Sequence, residues 1–105
     1  MASFGTVLST ARKKHNLSQK QVAEAVKKED GQSISPQYLN DLEHDRRNPP
    51  SEPLMKQLAE RLELSLDYLT FLAGQLPDEI RQRSASPDQV ERAFTAFRKA
   101  LDRKT

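Results

Sequence analysis

Ser35-Pro36-Gln37-Tyr38-Leu39-Asn40-Asp41-Leu42-Glu43 is the stretch that decides the fold. Its Ser-Pro start is typical of a helix N-terminus, because serine caps free backbone N–H groups and proline, which has no N–H, fits the first helical position. Leu39 and Leu42 predict an inward face, and Ile34 ahead of the cap can pack against the same side. The polar residues between them predict an outward face.

The residues just before this stretch predict another short helix. Ser18 is placed to cap it, and Gln21 three residues later completes a capping box. Val22, Ala25 and Val26 are expected to form its inner face. Two short helices in succession, the second with a polar leading end, have the layout of a helix-turn-helix, whose second helix enters the DNA major groove.

Helical spacing also recurs in the rest of the chain, whereas no segment alternates convincingly between apolar and polar residues. Three further helices are predicted before residue 75: one capped by Ser3 with Phe4, Val7, Leu8 and Ala11 inward, one after Ser51 with Leu54, Leu58 and Leu62, and one from Ser65 that is closed by Gly74. We therefore expect an all-α protein, with a five-helix domain at residues 1–74 and a C-terminal helical extension at residues 75–105.

The extension carries the most apolar surface outside the five helices. A short helix near Ile80 and a last helix from Ser86 to about Asp102 are predicted. One face of the last helix is an apolar stripe, expected to mediate dimerisation, made of Val90, Phe94, Phe97 and Leu101. Two phenylalanines are more apolar area than a monomer usually exposes, which favours self-association. The alternative is that the stripe packs back on its own domain.

Composition excludes several classes of protein. The 105 residues include no cysteine, which excludes disulfides and thiolate metal sites, and two histidines are too few for a metal site without such support. We find no nucleophile–base arrangement and no Gly-rich phosphate loop, so we expect neither an enzyme nor a cofactor. No stretch approaches the ~20 apolar residues that span a bilayer, and no apolar signal segment opens the chain, so a soluble cytoplasmic protein is expected.

The positions of the charged residues along the sequence are more informative than the net charge. The net charge is only +2. The basic residues bracket the predicted helix-turn-helix: Arg12, Lys13, Lys14, Lys20, Lys27, Lys28, Arg46 and Arg47. Beside such a motif, phosphate neutralisation is a better account of them than an ordinary solvated surface.

Residues 4–73 resemble the Cro/CI-type (XRE family) helix-turn-helix repressors of bacteria and phages, whose fold is a five-helix, lambda-repressor-like bundle. The matching elements are Leu17-Ser18-Gln19 with Val22-Ala23, Ile34 to Glu43, and Arg46-Arg47-Asn48-Pro49. One departure is the segment Lys27–Ser33, which is longer than the family's tight turn. It leaves open the angle of the recognition helix, and its lysines could contact a phosphate or belong to a solvated loop.

The resemblance implies two sets of DNA-contacting residues. Base reading falls to Ser35, Gln37, Tyr38, Asn40 and Asp41, and phosphate binding to Gln19, Lys20, Arg46, Arg47 and Asn48. Gln37 is the leading base reader, because an amide bonds adenine N6 and N7 in bidentate fashion. For Tyr38 a capping or core role is the alternative. Arg12 and Glu43 occupy positions where the family often has an interhelical salt bridge.

The expected partner is double-stranded DNA, bound by a homodimer that acts as a repressor on a pseudo-palindromic operator. An alternative is an antitoxin-like protein that neutralises a partner protein through its last helix and regulates its own operon. A nonspecific DNA-coating protein is a weaker alternative, because residues 1–76 carry no net charge, whereas such proteins depend on a strong positive field.

Overall fold

A computed structural model describes residues 2–103, and this part of the chain is all-α, as the sequence predicts. Its seven helices, α1 to α7 in chain order, are Phe4–Lys14, Gln19–Ala25, Pro36–Glu43, Glu52–Leu62, Leu66–Leu72, Asp78–Arg81 and Pro87–Asp102. α1 to α5 pack together as a bundle, and α6 and α7 follow it. None of the helices described is long and apolar enough to cross a membrane.

Serine caps start most of these helices. The predicted side-chain hydrogen bonds to backbone N–H groups are made by Ser3, Ser18, Ser35, Ser65 and Ser86. Ser51 also holds the N-cap position of α4, but its side chain makes no capping bond. Gly74 closes α5 with a φ of 72°, a left-handed conformation that glycine adopts without a steric penalty.

The core lies where α1 to α5 meet. Its largest fully buried side chains are Leu8, Leu39, Leu42, Met55, Leu58, Leu62, Leu69, Val22, Val26 and Thr70. Each leucine buried in this way contributes about 1.5–3 kcal/mol relative to an exposed one. Ala25 was predicted to belong to this core, and that prediction is wrong. Ala25 is exposed, and Ala23, which follows Val22 directly, completes the buried face of α2.

The segment between α2 and α3 is a closed hairpin. Its ends pair through a backbone bridge between Lys27 and Ser33. Just outside that bridge, the N–H of Ile34 donates to the carbonyl oxygen of Val26 at 3.0 Å, and both side chains are buried. The two ends of this linking hairpin (residues 27–33) therefore lie side by side, and its extra residues project away from the helices. The start of α3 is fixed by the Val26–Ile34 contact and not by the length of the segment.

Gln57 on α4 fastens the linking hairpin to the bundle. Its Oε1 accepts from the backbone N–H of Lys27 at 2.7 Å, and its Nε2 donates to the carbonyl oxygen of the same residue at 2.7 Å. The Nζ of Lys27 is held as well, by the Ser33 hydroxyl at 2.7 Å and the Glu24 carbonyl oxygen at 3.0 Å. Lys27 is therefore a structural residue of the hairpin.

The start of α1 is bound directly to the end of α3. Asp45, in the left-handed conformation just after α3, accepts from the backbone N–H of Gly5 at 2.9 Å and from the Ser3 hydroxyl at 2.6 Å. Gly5 is buried against the carbonyl oxygens of Leu42 and Glu43. A Cβ at this position would stand 2.5 Å from both oxygens, so the contact requires glycine.

We therefore expect Gly5→Ala to lower the free energy of unfolding by about 1–3 kcal/mol, since the added methyl group must push α1 away from α3. Urea unfolding followed by circular dichroism measures the change. Thr10→Ala, at an exposed position of the same helix, is the matched control and should stay within about 0.5 kcal/mol of the parent. Equal stability of the two variants would contradict the close contact.

Candidate DNA-binding interface

α3 is the candidate recognition helix, and it lies against both α1 and α2. Leu39 and Leu42 are buried in the core, and Ser35 and Gln37 are exposed at the leading end of the helix. The hydroxyl of Ser35 accepts from the N–H of Tyr38 at 3.0 Å, which leaves its own hydrogen available as a donor. The buried leucines thus fix which side of the helix faces outward.

A buried ion pair joins α1 to α3. Arg12 Nε donates to Glu43 Oε2 at 2.6 Å, and Arg12 Nη2 donates to Glu43 Oε1 at 2.9 Å. The Glu43 side chain is only 2% exposed. A further Arg12 nitrogen donates to the carbonyl oxygen of Leu17 at 2.9 Å, so the same guanidinium also holds the turn before α2.

Gln19 extends this network to α2. Its Nε2 donates to Glu43 Oε1 and to Asn40 Oδ1, both at 3.0 Å. Both amide hydrogens of Gln19 are therefore used inside the protein, and only its carbonyl oxygen remains, which cannot bind a phosphate oxygen. In this arrangement Gln19 positions α3, and the phosphate contact predicted for its side chain would require these bonds to break.

The network sets the ionisation of its members. Burial raises the pKa of Glu43, but hydrogen bonds from Arg12 and Gln19 and the nearby positive charges outweigh burial, so the pKa is lowered. The hydrogen bond to Glu43 also raises the pKa of Arg12. The pair is therefore ionised near neutral pH.

Asp41 connects the outer face of α3 to the residues that follow the helix. Its Oδ1 accepts from Gln37 Nε2 at 3.0 Å and from Arg46 Nε at 3.4 Å. Its Oδ2 lies 3.7 Å from Arg47 Nε. The Asp41 side chain is 19% exposed. Asp41 was predicted to read a base, but in the structure its carboxylate is occupied by its own neighbours.

Tyr38 lies between the core and Arg47. Tyr38 packs against the core cluster, and the Arg47 guanidinium carbon stands over its ring, 5.4 Å from the ring centroid. Burial raises the pKa of Tyr38, although the charge of Arg47 opposes the shift. This placement favours the packing role for Tyr38 over direct contact with a base.

The other predicted phosphate-binding residues lie at the surface. Arg46 and Arg47 are 56% and 58% exposed, and Lys20 and Asn48 are exposed as well. Reasoning from sequence missed Asp45, which ties α1 to α3, and the stacking of Arg47 on Tyr38. An aspartate directly after a helix end is a local signal for a left-handed residue, but its bond to Gly5 spans forty residues of sequence.

The apolar stripe of α7 lies on the surface. Val90, Phe94, Phe97 and Leu101 are between 40% and 62% exposed. Phe97 meets Phe71 of α5 edge-on, with ring centroids 6.2 Å apart. The stripe therefore packs on its own domain only in part, through Phe97, and its four side chains stay substantially exposed.

No group of three or more potential metal-ligating residues occurs within residues 2–103. The candidate site is a polar helix face that is flanked by arginines and supported by an apolar core, as in modules that read DNA with a helix.

Comparison with known proteins defines the family. A family model described as Helix-turn-helix (HTH_3, the XRE type) matches residues 8–69, which is more than half of the chain. The chain therefore belongs to this helix-turn-helix family of DNA-binding transcriptional regulators. Among curated proteins, none matches.

A solved structure with a similar fold is described as a SinR protein/SinI protein complex. It matches with a TM-score of 0.52 and 22% sequence identity over 94% of this chain and 91% of that chain. At this identity the likeness concerns the fold, and it includes the helices that follow the five-helix bundle.

Glu43 should make the stability of the parent protein depend on pH in a defined direction, and Glu43→Gln should remove this dependence. Because the folded pKa is lowered from 4.5, the carboxylate stabilises the protein above that value, and this contribution is lost as the pH falls through the lowered pKa. Glu43→Gln removes the charge opposite buried Arg12, so we expect a loss of about 3 kcal/mol near neutral pH. The difference in free energy of unfolding between variant and parent should become smaller below pH 4.5.

Thermal unfolding of both proteins across the acidic range measures this difference. Glu60→Gln, at an exposed carboxylate of α4, is the control and should leave the stability profile of the parent unchanged. A Glu43→Gln profile parallel to that of the parent at every pH would refute the proposed linkage.

Proposed function

We propose that this chain is a sequence-specific transcriptional repressor that binds a pseudo-palindromic operator as a cytoplasmic homodimer and reads each half-site with α3. In this proposal residues 1–74 bind DNA and residues 75–105 bring two copies together. The observation that carries it is the exposed leading end of α3, where Gln37 is held by Asp41 beside two exposed arginines.

Gln37 is well prepared to read adenine. One of its amide hydrogens is donated to Asp41. This hydrogen bond fixes the orientation of the amide, because Nε2 must lie on the side of Asp41. The second hydrogen and Oε1 remain available, and adenine needs one donor for N7 and one acceptor for the N6 amino group. Asp41 thereby acts as a positioning residue for Gln37, and Ser35 adds one hydroxyl donor at the same end of the helix.

The phosphate contacts belong to the residues around α3. The Nε atoms of Arg46 and Arg47 face the Asp41 carboxylate. The terminal nitrogens of each guanidinium are suited to binding a phosphate, because they form a planar pair of donors. Lys20 and Asn48 supply further exposed polar groups on either side of the helix. Such contacts set register and orientation on the duplex, while base contacts provide specificity.

A homodimer follows from the small size of one recognition helix. The eight residues of α3 reach few base pairs, and a second copy multiplies affinity through effective concentration. The exposed stripe of α7 is the surface that we assign to this association, since apolar patches of this kind mark interaction sites.

A second candidate function is binding of a different protein through the same stripe, as in an antitoxin-like regulator. Its support is the exposure of the stripe together with the similar structure, which is described as a complex of two proteins. The two candidates differ in what covers α7.

Selection of binding sites from random duplex DNA tests the proposed function. We expect enrichment of two inverted half-sites whose centres lie one helical turn, or about 10 base pairs, apart, or a multiple of that spacing. Enrichment of a single half-site would contradict the dimer. Uniform binding of all duplexes would contradict sequence-specific recognition altogether.

Gln37→Ala should cost about 1–3 kcal/mol of binding free energy at one base pair of each half-site and relax the preference there. Titrations of the selected operator and of single-base variants measure this effect. Gln32→Ala, at an exposed glutamine of the linking hairpin, is the control and should bind like the parent. A loss of equal size on every sequence would assign Gln37 to the DNA backbone.

A further inference from the structure

We propose that α7 pairs with α7 of a second copy in antiparallel orientation, with Glu91 of each chain opposite Arg98 of the other. The proposal rests on the homodimer of the proposed function, and it adds the orientation and the residues that set it.

The apolar stripe has the spacing of a helix-pairing seam. Its members, Val90, Phe94, Phe97 and Leu101, follow one another at intervals of four, three and four residues. This is the alternation of the a and d positions in a heptad, which keeps one seam facing a partner helix. All four side chains are substantially exposed, and the seam is open apart from the edge contact of Phe97 with Phe71.

The two flanks of the stripe differ in chemistry. With 100° of rotation per residue, Glu91 and Arg98 fall on one side of the stripe, and Ala93 and Ala100 fall on the other. On the charged side, Val90, Glu91, Phe94, Thr95 and Arg98 line a shallow groove. On the other side, the small side chains of Ala93 and Ala100 leave room for a neighbouring backbone.

The charged flank selects the orientation. In an antiparallel pair, Val90 lies against Leu101 of the second copy and Phe94 against Phe97, so like flanks face each other. Two Glu91–Arg98 pairs then form between the chains, related by the two-fold axis. The alanine flanks also face each other, and their small side chains permit close approach of the helices. In a parallel pair, each charged flank faces an alanine flank, and no ion pair forms.

The same residues indicate that the occupant is a second copy of this chain. One flank carries both an acid and a base, placed on either side of the midpoint between Phe94 and Phe97, so the helix is complementary to itself when reversed. Two other charges of α7 are paired within the helix, by the bond from Arg92 to Asp88 at 3.1 Å. Within residues 2–103, neither Glu91 nor Arg98 has an ion-pair partner in its own chain.

The apolar surface continues beyond the stripe. Phe71, which meets Phe97 edge-on, is itself 50% exposed, and Leu76 and Ile80 between the bundle and α7 are exposed to a similar degree. A second helix laid along the stripe would therefore also approach the edge of the bundle, which enlarges the area covered in the dimer.

Charge reversal in the full-length protein tests the orientation. Glu91→Arg and Arg98→Glu each place like charges opposite one another, so we expect each variant to self-associate about tenfold more weakly. A mixture of the two variants restores both opposite-charge pairs and should form heterodimers as stable as the parent dimer. The double variant E91R/R98E should dimerise like the parent. Sedimentation equilibrium measures these constants.

Two controls keep this test specific. Lys99→Glu makes the same charge change as Arg98→Glu one residue further along, on the face opposite the stripe, and should leave the dimer unchanged. Because the sequence has no cysteine, a mixture of Ala93→Cys and Ala100→Cys provides a second readout. The mixture should form an interchain disulfide readily, and each variant alone should not.

The outcomes separate the orientation from the proposed function. Dimers that are insensitive to both charge reversals, or a mixture that fails to cross-link, overturn the antiparallel pairing and leave the homodimeric repressor standing. A parent protein that stays monomeric at every concentration overturns the pairing and the homodimer together. In that case the stripe belongs to a different partner.

Discussion

The buried ion pair between Arg12 and Glu43 is the constraint on which the candidate DNA-binding face depends. It ties α1 to α3, and Gln19 brings α2 to the same carboxylate. A buried pair gains little net stability over apolar side chains of the same volume, because removing two charges from water offsets their attraction. Its effect here is geometric. Together with the buried Leu39 and Leu42, the bidentate contact fixes the rotation of α3 about its own axis, and that rotation decides which side chains face outward.

The outer face of α3 is ordered by the same kind of interaction in a more exposed setting. Asp41 gathers one amide and two guanidinium groups, and Arg47 is further steadied by the ring of Tyr38. Side chains restrained before binding lose less conformational entropy when they meet a ligand. Asp41 alone would repel phosphate, and in the function that we propose it contributes by arranging the basic and polar groups around it.

Local signals made most of the fold predictable from sequence. Serine caps and leucine spacing act within one or two helical turns, and most of the seven helices of residues 2–103 follow from them. The role of each residue within the site was harder to predict from sequence, because it depends on contacts between residues that are distant along the chain. The bond from Asp45 to Gly5 and the clamp of Gln57 on Lys27 join positions thirty or more residues apart. Whether the base-reading and phosphate-binding residues act as assigned remains a prediction.

The linking hairpin has a consequence for how this motif is recognised and altered. Since the backbones of Val26 and Ile34 are hydrogen-bonded to each other and Lys27 pairs with Ser33, we expect residues added at the tip of the hairpin to leave α3 in place. The number of residues between the two motif helices can therefore vary among proteins with this fold. A sequence pattern that requires a constant spacing between these helices would miss such proteins. For the same reason, the tip of the hairpin is a natural place to graft a fluorescent label or an affinity peptide.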